Sequence, residues 1–126
     1  MQAITNVPGA PAPVGAYSPA IKSGNLVFCS GQIALDPGTN QIVTGGVESE
    51  ARQVLKNLEA VLVAAGSSPK KILMTTIFLA NISDSKTVNA LYSDFVNQDA
   101  PPARQTIAVK DLPLGAQVEI SVIAEV

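Results

Sequence analysis

Between Val47 and Ala65, apolar residues recur every three or four positions: Val47, Ala51, Val54, Leu55, Leu58, Val61, Leu62 and Ala65. This spacing predicts an amphipathic helix with one wide apolar face, and Gly66 stands where a left-handed C-terminal cap belongs. Val88, Leu91, Tyr92 and Phe95 repeat the pattern and predict a second helix over 85–97. Ser83 and Asp84 are its candidate N-caps, and Pro101 and Pro102 its stop. Other segments follow a shorter period. LVFCSGQI (26–33) and KILMTTIFLA (71–80) are short, apolar and rich in branched residues, which predicts two buried strands. RQTIAV (104–109) and QVEISVIAEV (117–126) predict two more, joined by KDLPLGA. The last strand alternates: Val118, Ile120, Val122, Ala124 and Val126 share one face, and Gln117, Glu119, Ser121 and Glu125 share the other.

The resulting order is a β-rich start, a helix, a strand, a helix and two strands. Two helices suffice to cover one sheet face, so the pattern predicts an α+β fold in a single domain over residues 1–126. The other face carries Glu119 and must meet water or another subunit. Proline and glycine cluster at 8–19, 31–46 and 113–115, where they punctuate the chain without dividing it into domains.

Composition narrows the function. Hydrophobic residues make up 47% and charged residues 14%, which excludes intrinsic disorder and hints at apolar surface covered by oligomerisation. The net charge is −2, and eight Lys and Arg are scattered without a basic run, so nucleic-acid binding is not expected. The absence of His removes His-based catalysis and His metal ligation, and the single Cys29 cannot form an intrachain disulfide or a thiolate metal cluster. One thiol, no secretory pattern at the start, no arginine before Arg52 and no long apolar run lead us to expect a cytoplasmic protein without a membrane segment.

Few side chains remain for chemistry. Arg104, after two prolines, is suited to bidentate carboxylate binding, or it is a surface arginine at a strand start. Glu119 in mid-strand lies on a solvated face, or it is a site carboxylate with a raised pKa. Tyr17 sits in a Pro/Gly-rich segment, where it stacks on a ligand or pins a loop. Gly31 after Ser30 permits either a bend or a close backbone approach. Asn89 is a solvent-facing helix residue unless a site recruits it. Cys29, with no base available, reads as a buried structural thiol.

Several segments in order carry a resemblance. PAPVGAYSPA (11–20), FCSGQI (28–33), TVNALY (87–92) and PAR (102–104), followed by LPLG (112–115) and VEI (118–120), resemble the RidA/YjgF family of reactive-intermediate deaminases nearly end to end. The resemblance implies a chorismate-mutase-like fold of the bacillus type: a mixed sheet with two helices on one face, assembled as a homotrimer with active sites between subunits. It implies hydrolysis of reactive 2-imino or enamine acids, such as 2-iminobutanoate and 2-iminopropanoate, to 2-oxo acids and ammonia, with no cofactor and no metal. By resemblance, Arg104 holds the substrate carboxylate and Glu119 handles the attacking water and the proton. Tyr17, Ser30, Gly31, Asn89 and Thr106 would line the site.

Two positions depart from the family pattern. Thr106 stands where many members carry Cys, and Gln105 follows the arginine where a small residue is usual. Cys29 does not align with the family cysteine. Other readings are a non-catalytic trimer that binds a small metabolite and, more weakly, an RNA-cleaving translation inhibitor or a chorismate mutase.

Overall fold

The structure is a computed structural model that describes residues 1–126. Six strands form one sheet: β1 (Gln2–Ile4), β2 (Ala20–Ser23), β3 (Leu26–Gln32), β4 (Ile72–Leu79), β5 (Ala103–Ala108) and β6 (Val118–Glu125). Two helices, α1 (Val47–Ala64) and α2 (Ser85–Phe95), complete the architecture. The spatial order is β1-β2-β3-β6-β4-β5, with every pair antiparallel except β4 and β5.

The topology explains why both helices share a face. The α1 crossover carries the chain from β3 to β4, and the α2 crossover carries it on from β4 to β5. Both step in the same direction across the sheet, and right-handed crossovers then place both helices on one side. β6 enters last, between β3 and β4, and its inner row of Val118, Ile120, Val122 and Ala124 becomes the floor of the core. Ala51, Val54, Leu58, Val61 and Leu62 of α1 cover that row, as the helical spacing predicts. Gly66 closes α1 with a φ of +81°, where the Ser67 and Gly66 amides donate to Leu62 O (2.8 Å) and Val63 O (3.0 Å).

Some expectations need correction. The β-rich start resolves into β1 and β2, paired antiparallel at the sheet edge. The segments 26–33 and 71–80 are not buried on both faces. Phe28 and Leu73 are each 43% exposed, because the helices cover one face only. Val126 lies past the end of β6 and is exposed. α2 begins without side-chain capping from Asp84; Asn81 instead accepts the Ser83 amide in the 3-10 turn before it. α2 also ends at Phe95, well before the prolines, where the Lys70 ammonium donates to Asp94 O (3.1 Å) and Val96 O (2.9 Å).

The uncovered face is largely apolar at its centre. Strand register places Ile21, Phe28, Ile123 and Met74 there, with Thr76, Ser121 and Gln105 beside them and Phe78 and Ile107 in Glu119's row. No helix is long and apolar enough to cross a membrane.

Candidate active site

Glu119 projects from β6 on the uncovered face. Opposite it, β3 bulges between Cys29 and Gln32, and Gly31 sits in the bulge. A Cβ at position 31 would lie 2.7 Å from the Glu119 Oε2 atom, so glycine here permits the close approach of the carboxylate. Burial raises the Glu119 carboxyl above its ordinary range. The carboxylate borders an open cavity of about 520 Å³, walled by Pro11–Val14, Tyr17, Pro19, Ser30–Ile33, Leu35, Pro113 and Leu114. Glu119 is the one carboxylate in this wall, and no Lys or Arg lines it.

The wall is built locally. The Ser30 hydroxyl donates to Ser18 O (2.6 Å), tying the 11–20 segment to β3. The Tyr17 hydroxyl accepts from the Val14 amide at 3.4 Å, and its ring is half exposed at the rim. Leu114, also in the wall, holds a left-handed φ of +57° and is 71% exposed. Sequence reasoning missed Leu114 and Ile33 as wall residues; the LPLG motif was the available signal for the first.

Arg104, Asn89 and Thr106 lie elsewhere. In the register Arg104 pairs with Thr75, and Thr106 with Ile77, both on the helix-covered face. The Arg104 Nη1 group donates to Asn89 Oδ1 at 2.6 Å, and its guanidinium lies 5.1 Å from the centre of the Tyr92 ring. Tyr92 is itself anchored, its hydroxyl donating to Thr75 Oγ1 at 2.9 Å. These contacts orient the guanidinium and leave several of its N–H groups free for a ligand. Asn89, Arg104 and Thr106 line a second hollow of about 360 Å³, shared with Ser85, Lys86, Ile77 and Val88.

The candidate residues therefore form two groups. Tyr17, Ser30, Gly31 and Glu119 share one cavity; Arg104, Asn89 and Thr106 share another. Arg104 and Glu119 stand two strands and three rows apart, about 14 Å between backbones at ordinary sheet spacing, on opposite faces. One chain does not bring them together. Gln105 pairs with Thr76 and so lies on Glu119's face, away from Arg104. The Cys29 thiol is buried and pushed up to about 12, which suits a structural role.

Comparison with known proteins places the chain in a family. A family model described as Endoribonuclease L-PSP matches residues 7–126. The mouse 2-iminobutanoate/2-iminopropanoate deaminase is 44% identical over 115 residues, covering 91% of this chain and 84% of its own. A RutC family protein of Sulfurisphaera tokodaii is 45% identical over 114 residues, 90% of each chain. Among solved structures, a Rid family protein of Yersinia pestis superposes with a TM-score of 0.93 at 44% identity, over 98% of both chains. The YjgF gene product of E. coli superposes at 0.88 with 33% identity, over 99% of this chain and 98% of its own. Sequence and architecture agree over nearly the whole length, and the chain belongs to the RidA/YjgF family, the family of the Endoribonuclease L-PSP model.

Proposed function

We propose that this protein is a 2-imino acid deaminase whose sites are shared between copies of the chain in a homotrimer. The observation that carries the reading is Glu119: one carboxylate with a raised pKa at the edge of an apolar cavity, with no Lys or Arg of its own chain in the wall. Such a group holds a proton more readily than an ordinary carboxylate does, which suits it to taking a proton and returning it.

The reaction adds water across a C=N bond and breaks the C–N bond. Glu119 accepts a proton as the water oxygen bonds to the imino carbon, giving a tetrahedral carbinolamine. The protonated Glu119 returns that proton to nitrogen, and it then carries the carbinolamine hydroxyl proton to nitrogen as the C–N bond breaks, the C=O forms and ammonia leaves. Arg104 binds the neighbouring carboxylate through its free N–H groups, in the orientation set by Asn89 and Tyr92. Arg104 faces away from its own chain's Glu119, so it acts in the cavity of a second copy. The apolar uncovered face, continuous with Glu119, is the surface on which copies meet. Tyr17, Ser30 and Gly31 shape the pocket, Thr106 supports Arg104, and no cofactor takes part. An RNA-cleaving role fits less well, because the net charge is −2 and the eight Lys and Arg form no basic run.

A coupled assay tests the proposal. An amino-acid oxidase generates the imine, and its disappearance is followed with wild type and with Arg104→Ala. Acceleration by wild type that is lost in the variant supports the deaminase. No acceleration by wild type refutes turnover and leaves a metabolite-binding trimer.

A further inference from the structure

Helix α1 lies on the covered face of the sheet, yet it holds two walls of the cavity on the uncovered face. Glu50 and Asn57 are seven residues apart, two turns, and so share one side of the helix. Both are polar and nearly inaccessible, at 3% and 0% exposure. The Glu50 carboxylate accepts from both the Gln117 amide and the Gln117 Nε2 group, each at 2.9 Å. The Asn57 Nδ2 group donates to Ile33 O (3.2 Å) and Leu35 O (2.9 Å), and its Oδ1 accepts from Gln53 Nε2 (2.9 Å).

The tethered segments are cavity wall. Ile33 and Leu35 line it, and so do Pro113 and Leu114, just before Gln117. Gln117 also precedes Glu119 by two residues. The Pro113–Gly115 turn contains two consecutive left-handed residues, Leu114 at +57° and Gly115 at +70°, an arrangement costly for leucine that needs outside support. The one ion pair of the chain, Arg52–Glu48, does not involve Glu50. The place of Glu50 in the first turn of α1 favours a carboxylate, and the two bonds from Gln117 commit that carboxylate to the segment that leads into Glu119.

We propose that Glu50 and Asn57 are positioning residues of the Glu119 cavity, acting through Gln117 and through the Ile33–Leu35 backbone without touching a ligand. The catalytic half of this proposal rests on the deaminase reading; the structural half does not.

The test uses Glu50→Ala, Glu50→Gln, Asn57→Ala and Gln117→Ala in the full chain. Steady-state kinetics are read well below each melting temperature. The titration of the Glu119 carboxyl carbon is read separately by NMR. Within one chain Glu119 and Tyr17 are the titratable residues that line the cavity, and in the proposed assembly Arg104 of a second copy also faces Glu119, so the NMR titration is read against Arg104→Ala to separate hydration from that charge. The expected result for Glu50→Ala is a fall in kcat of about tenfold or more, with a smaller change in KM. The Glu119 midpoint should also move down toward an ordinary carboxylate as water enters. Asn57→Ala should act in the same direction. Glu50→Gln should restore both readouts, since a flipped Gln117 amide can satisfy it. Where Glu50→Ala does not fold, Gln117→Ala removes the side-chain arm alone and should give a smaller shift of the same sign. A lowered melting temperature with unchanged kcat, KM and Glu119 midpoint would overturn the proposal. A wild type without turnover would refute the deaminase reading, while the Glu119 midpoint would still decide the positioning role.

Discussion

The Glu119 carboxylate fills the space that any side chain at position 31 would need. A Cβ built on Gly31 meets Glu119 Oε2 at 2.7 Å, Cδ at 2.8 Å and Cγ at 3.1 Å. The obstruction is the far end of a flexible side chain, so Gly31→Ala should fold with little loss of melting temperature while displacing the carboxylate. Misplacement on the ångström scale costs about 10²-fold in rate, and that is the loss expected in kcat/KM. Thermal melts paired with the imine assay check it; a large fall in melting temperature with normal specific activity would point to backbone strain instead.

Glu119 also predicts a pH dependence. Burial raises its pKa in the folded state, so the folded protein holds this proton more tightly than the unfolded chain does. The associated stability is present below the ordinary carboxylate pKa and is lost as pH rises through the raised value. Glu119→Gln should therefore melt higher than wild type at neutral pH, and by more in an Arg104→Ala background, where no guanidinium from a second copy offsets the charge. The difference should vanish in acid, below about pH 4, where both side chains are neutral. Turnover of the same variant should fall about 10²–10⁴-fold, the usual worth of general acid–base help.

Tyr92 offers a way to separate anchoring from stacking. Tyr92→Phe keeps the ring under Arg104 and loses the hydroxyl bond to Thr75. It should cost about 1 kcal/mol of stability and leave KM near wild type. Tyr92→Leu removes the ring and should raise KM about two- to fivefold, the worth of an exposed cation–π contact, with a smaller effect on kcat. Denaturant titration and steady-state kinetics on both variants distinguish the two contributions.

Much of this was legible in the pattern of residues. The three-and-four spacing located α1 and α2, and the alternation in 117–126 placed Glu119 opposite Val118 and Ile120 correctly. β1 and β2 escaped because three and four residues are too few to establish a period, and their pairing is set by distant partners. The side taken by Arg104 escaped for a different reason. β5 is an exposed edge strand without alternation, and its facing follows from the pairing of Arg104 with Thr75, which no local signal encodes. Glu50 and Asn57 were hidden within the apolar stripe of α1. Their spacing to Val54, Leu58 and Val61 was the signal, and a reading confined to apolar residues passes over it.

The central claim is that a working site takes Glu119 from one chain and Arg104 from another, and subunit complementation tests it most directly. Arg104→Ala and Glu119→Gln are purified separately, each expected to be nearly inactive, then unfolded, mixed in equal amounts and refolded together. Random assembly gives about one quarter of shared sites both intact residues, so the mixture should recover about a quarter of wild-type imine hydrolysis. A mixture no more active than its two components would contradict the shared site.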